Sequence, residues 1–106
     1  MNIWALNKDV TIKHLLLLLR KSFGDDVFDV ILEHEDDKAL RLVKQGDASL
    51  SVYVYTYGQD VNFYGVHLEY RDLIETSVTN TLDIYDNVDY SILCRLVQGH
   101  LDIMVD

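Results

Sequence analysis

From Val27 onward the hydrophobic period of the chain changes from helical to two, and the period-two runs are joined by links too short to cross a sheet. The runs Val27 to Glu33, Ala39 to Gln45, Ser49 to Tyr57 and Val61 to Tyr70 are rich in valine, leucine and tyrosine. The links between them are His34 to Lys38, Gly46 with Asp47, and Gly58 to Asp60. Links of this length permit only antiparallel neighbours, so the four strands are expected to form a meander.

Ahead of the runs, Ile12, Leu15, Leu16, Leu19 and Phe23 recur at helical spacing across Val10 to Phe23. Asp9 or Thr11 can accept a first-turn N–H, and Gly24 can stop the helix in a left-handed conformation. Leu17 and Leu18 widen the apolar arc, which predicts cover on more than one side, by the sheet and by another element or a partner chain. Behind the runs, Val88, Ile92, Leu93, Leu96, Val97 and Leu101 share one face of a second helix, capped by Asp86 or Asn87 and ending near Gly99 to Asp102. Arg71 to Tyr85, rich in threonine, serine and asparagine, reads as a connection with room for a fifth strand. The expected fold is α+β: an N-terminal helix, an antiparallel four- or five-stranded meander, a C-terminal helix, and both helices on one sheet face.

A chain of 106 residues fits one domain spanning 1–106. Scaling of surface with mass predicts that roughly 65% of the extended chain's surface is buried on folding, enough for a core without covalent staples. The single cysteine, Cys94, excludes an intrachain disulfide, and the absence of proline excludes proline-rich classes. The most apolar run, Leu15 to Leu19, is far short of the about 20 residues a spanning helix needs. Asn7, Lys8 and Asp9 interrupt any export-type apolar stretch, so a cytoplasmic location is expected.

Alternation divides the sheet into two faces. Leu50, Val52 and Val54 should meet the helices, while Tyr53, Tyr55 and Tyr57 form a row on the other face, partly wet. On the next strand Val66 and Leu68 are expected inward, with Tyr64 or Tyr70 able to join the tyrosine row. Such a row, rigid rings with hydroxyl tips, has the composition that interfaces favour, although tyrosine is also simply a good strand former.

Eighteen acids against nine bases give a formal charge of -9, the wrong sign for holding phosphate backbones, so nucleic acid is not an expected partner. The charge is uneven: residues 1–24 carry four bases and one acid, so the remainder carries -12. One acidic group is Asp25, Asp26, Asp29, Glu33, Glu35, Asp36 and Asp37; a second is Asp83, Asp86 and Asp89 with Asp102 and Asp106, relieved only by Arg95. Within a Debye length of about 8 Å such carboxylates repel one another but speed capture of a basic partner. Acids in turns and at helix starts are also ordinary solubilising and capping chemistry. Fourteen of the acids are aspartates, short side chains that lose little rotamer entropy when held by arginine.

Catalytic patterns are weak. A Cys94 nucleophile would need His67 or His100 beside it, and packing explains a helical cysteine as well. His34 with Glu35, Asp36 and Asp37 lacks zinc spacing and does not match a calcium loop. No phosphate loop, dinucleotide glycine pattern or nucleophile elbow is present, so neither an enzyme nor a cofactor is expected.

The build, with the stretches Gly65 to Leu73 (GVHLEYRDL) and Asn80 to Tyr90 (NTLDIYDNVDY) leading into the last helix, about a fifth of the chain, resembles the bacterial immunity proteins of contact-dependent and polymorphic toxin systems. The resemblance implies a tight complex with a basic toxin C-terminal domain, often a nuclease, whose active site is covered or met by carboxylates. No residue role is carried over by it. Two other classes fit the composition: a dimeric acidic secretion chaperone, using the wide leucine helix as a homodimer face, and a small Cys/His or metal-dependent enzyme.

Overall fold

In the computed structural model the described residues are 3–32, 36–72, 74–75 and 79–103. Helix α1 spans Val10–Phe23. The Asp9 carboxylate accepts from the Thr11 hydroxyl and, at 3.0 Å, from its N–H, and these two bonds hold the carboxyl below its usual range. Gly24 ends the helix at φ 85°, donating to the Arg20 carbonyl at 2.8 Å, with Arg20 and Lys21 in the last turn where the helix dipole favours them. Ile12, Leu15, Leu16 and Leu19 are buried; Leu17 packs against the core from one side, and Leu18 is half-buried.

The sheet runs β1 Phe28–Ile31, β2 Ala39–Lys44, β3 Asp47–Tyr55, β4 Tyr64–Arg71 and β5 Thr79–Val88, in that spatial order and antiparallel throughout. The turn between β2 and β3 is Gln45 and Gly46, with Gly46 at φ 82°. Asp47 belongs to β3, not to the turn, and it accepts from the Ser49 N–H and hydroxyl. β3 correspondingly ends at Tyr55, two residues before the alternation does.

The connection after Arg71 resolves into strand β5, ten residues long. Its register against β4 slips twice. Glu69 faces Thr81 while Leu68 faces Asp83, which leaves Leu82 unmatched; Tyr64 faces Val88 while Val66 faces Tyr85, so Asp86 and Asn87 share Gly65. Asn87 takes the left-handed conformation there, φ 50°. The strand absorbs Asp86 and Asn87, so the cap of helix α2 (Tyr90–Leu101) is neither of them but Asp89, whose carboxylate accepts from the Ile92 N–H at 2.9 Å. Asp89→Ala is expected to lower stability by about 1 kcal/mol, read as a lower denaturant midpoint, and Asp89→Asn, which keeps the acceptor, by much less.

Both helices pack on one face of the sheet, over Leu40, Leu42, Val52, Val54, Val66 and Leu68. Tyr64 faces this core too, and Tyr70 lies opposite Leu50 on the same side. Neither joins the tyrosine row, because both share the parity of Val66.

Candidate interaction surface

The second face of the sheet is organised in three cross-strand rows. The central row passes through all five strands, Ile31, Arg41, Tyr53, His67 and Ile84, each directly opposite the next. Beside it run Asp29, Val43, Ser51, Glu69 and Thr81, and on the other side Ala39, Tyr55 and Gly65. Cross-strand neighbours lie close enough to interact, and here they do.

Glu69 is only 5% exposed, and its charge is met at close range. Arg41 donates to it through two nitrogens, Nε to Oε1 at 2.7 Å and an Nη to Oε2 at 3.1 Å, while the Ser51 hydroxyl donates to Oε1 at 3.0 Å. The same guanidinium lies 5.0 Å from the centre of the Tyr53 ring. His100 of α2 donates from Nε2 to the Glu69 carbonyl at 2.8 Å, at the strand position where the β5 bulge interrupts the ladder.

Tyr55 lies across Gly65, where a side chain would leave it no room, and is 6% exposed. Tyr57 stacks on it, centroids 4.5 Å apart, and the Tyr53 and Tyr57 hydroxyls are within 3.2 Å. The His67 ring meets Tyr55 edge-on at 5.2 Å. The Tyr55 hydroxyl donates to the Asp86 carboxylate at 3.0 Å; burial and that carboxylate push the phenol up to about 12. The tyrosines therefore divide: Tyr55 is a buried support, and Tyr57 and Tyr53 are the rings that can meet a partner.

The structure puts Asp25, Asp26 and Asp29 at one edge of the sheet and Asp83 and Asp86 at the other, but Asp102 lies beside Asp26 and Lys44, away from the β5 acids, and Asp106 lies outside the described residues. At the β1 edge, Asp25 pairs with Arg20 at 2.9 Å, Asp26 and Asp29 are exposed, Asp36 accepts from the Lys38 N–H while its carbonyl takes the Lys8 ammonium at 2.9 Å, and the Asp37 carbonyl accepts from Asp9. Arg20 thus meets one of these carboxylates directly, and Lys8 lies at the backbone carbonyl of another. Glu33, His34 and Glu35 lie outside the described residues. At the β5 edge, Asp86 reaches the tyrosine face, Asp83 is in register with Leu68 on the other side of the strand, and Asp89 caps α2. Among the described residues the Asp83 side chain makes no hydrogen bond or ion pair, and no base lies between Arg71 and Arg95 in the sequence.

The chemistry that a thiol enzyme would need is spread apart. Cys94, on α2, is half-buried, and burial pushes its thiol up, away from the thiolate. His67 is on the opposite face of the sheet, and His100 donates to the Glu69 carbonyl. Among the described residues no three histidine, cysteine or acidic side chains come together as metal ligands, and no helix is long and apolar enough to cross a membrane. A cleft of about 350 Å³ between α1 and β1 is lined by Leu16, Leu19, Phe28 and Val30, with Arg20 and Asp25 at its rim already paired with each other.

Sequence reasoning gave Arg41, Gly65 and Glu69 no role and weighed His67 only as a partner for Cys94. Counting register outward from the β2–β3 turn would have aligned Arg41 with Tyr53, and a glycine opposite a tyrosine on adjacent strands is itself a signal of a ring lying over bare backbone. The fold and face define an α+β sheet protein whose non-helical side is an aromatic cluster bordered by carboxylates. Set against protein-family models, curated proteins and solved structures, the chain gives no match.

Proposed function

We propose that this chain is a cytoplasmic acidic binding protein that neutralises a basic protein partner without catalysis, in the manner of an immunity protein blocking a nuclease-type toxin domain. The observation that carries the reading is the junction of Tyr55 with Asp86, which brings one of the β5 carboxylates onto the tyrosine face, with Asp83 on the other side of the same edge strand. Tyr57 and Tyr53 offer rings with hydroxyl tips, and Asp83 and Asp86 offer carboxylates with no base on their strand. Lysine and arginine are recognised by this combination, through ring faces and through charge. The overall charge of -9 adds long-range steering.

The test is capture on the immobilised chain at low salt, release by a salt gradient, and assay of the released protein for nuclease activity with and without the chain. A basic protein that the chain inhibits is expected. Asp83→Lys with Asp86→Asn, the asparagine retaining an acceptor for Tyr55, should slow its association by about tenfold or more and change its dissociation less. Asp26→Lys with Asp29→Asn, at the far edge, should do little. Binding indifferent to salt, or a released protein whose activity the chain leaves untouched, overturns the reading.

A further inference from the structure

Among the described residues the sheet ends at β5, which pairs on one side only. An end strand of this length presents a row of backbone N–H and C=O groups to whatever can complete them, and proteins usually blunt such an edge with charge, bulges or a short strand. Here the opposite edge, β1, is four residues long, whereas β5 has ten. β5 carries two bulges and two acids, which are protective, but it also exposes Leu82 at 56%, Ile84 at 59% and Tyr85 at 37%. Protection alone does not call for three large apolar side chains within four residues of an open backbone edge.

We infer that the outer edge of β5 receives, by strand addition, a short extended basic segment of a partner protein. The inference rests on the reading that the partner is basic, and names where and in what conformation it is held. Main-chain bonds to the edge supply affinity, and side chains on either face of the added strand supply selectivity. The bulges keep the uninterrupted ladder short, centred on Asp83 to Tyr85. Charge decides the occupant. A second copy paired antiparallel on this edge would bring Asp83 and Asp86 against the same acids of its twin, and each copy carries -9; a strand bearing lysine or arginine meets both acids favourably.

The experiment uses the full chain and a synthetic peptide of the same length as β5 in which lysine pairs alternate with threonine pairs, which puts lysines on both faces, beside a control with proline pairs in place of the threonine pairs, which has the same charge but lacks every second ladder donor on either edge. Amide hydrogen exchange of β5 is followed by NMR at low salt. The lysine–threonine peptide is expected to slow exchange of the outward amides between Asp83 and Tyr85 by roughly tenfold or more, and the proline peptide not to. If both peptides bind in a salt-dependent way and neither protects β5, strand addition is wrong while recognition of a basic partner stands. If neither binds, both readings fall. Protection that rises with protein concentration in the absence of peptide makes the occupant a second copy and overturns the inference.

Discussion

Replacing Arg41 by alanine is expected to destabilise the protein by about 3 kcal/mol, and replacing the pair together, Arg41→Met with Glu69→Leu, by clearly less. Glu69 is almost wholly removed from water, and the guanidinium supplies two of the three side-chain hydrogen bonds to its carboxylate. Removing the cation leaves that charge to Ser51 alone, the condition in which a buried carboxylate is most costly. Removing both charges discards the desolvation cost along with the attraction, and the leucine and methionine fill comparable volume. Arg41 is itself about a quarter exposed, which places the single-mutant effect at the lower end of what breaking buried pairs costs. Urea denaturation of the two variants reads the difference directly. A single mutant no worse than the double would mean that water reaches Glu69.

Elements were legible in this sequence wherever one periodicity ran uninterrupted. Val10–Phe23 is read correctly at both ends because its apolar spacing, its aspartate cap and its glycine stop agree. The meander follows from link length alone. β5 was obscured for a physical reason: each bulge inserts a residue and flips the alternation, so Thr81, Asp83 and Asp86 never present a steady period of two, and an edge strand wet on most of its surface has little need of apolar residues to mark it. The same displacement moved the α2 cap to Asp89. Of the surface, the tyrosine row and the β5 acids could be read separately, but their contact could not. Tyr55 and Asp86 are 31 residues apart, and they meet across the one intervening strand, β4, because a bulge brings Asp86 round to the face that Tyr55 occupies. The sequence does not rank the two acidic groups, although no base falls among the acids of residues 25–37. Folding sets Arg20 against Asp25 and brings Lys8 to the Asp36 carbonyl, while the acids of β5 have no cation on their strand.

Tyr55→Ala should cost about 3 kcal/mol or more, and Gly65→Ala about 1 to 3 kcal/mol, yet the two together should cost less than their sum by at least about 1 kcal/mol. The ring occupies the space a side chain on Gly65 would take, with a Cβ there only 2.6 Å from the Tyr55 hydroxyl oxygen and nearer still to the ring carbons. A methyl group at 65 must lift the ring off the strand, and the ring is held from above by Tyr57 and at its tip by Asp86. Once the ring is gone the methyl group has room, so the penalty at 65 vanishes and the coupling appears. Additive effects in the denaturation cycle would show that the ring does not lie on that glycine. The hydroxyl contributes separately and with a definite sign. Its pKa is raised from 10.0 to about 12 by burial and by the Asp86 carboxylate, so the folded state keeps a proton that the unfolded state gives up. The stabilisation is complete below pH 10 and is lost as pH rises through about 12. Tyr55→Phe should therefore be less stable than the parent near neutrality by about 1 kcal/mol and should lose less stability than the parent across that alkaline interval. Parallel midpoint curves for the two proteins through the same interval would refute the Tyr55–Asp86 bond on which the acidic and aromatic halves of the surface are joined.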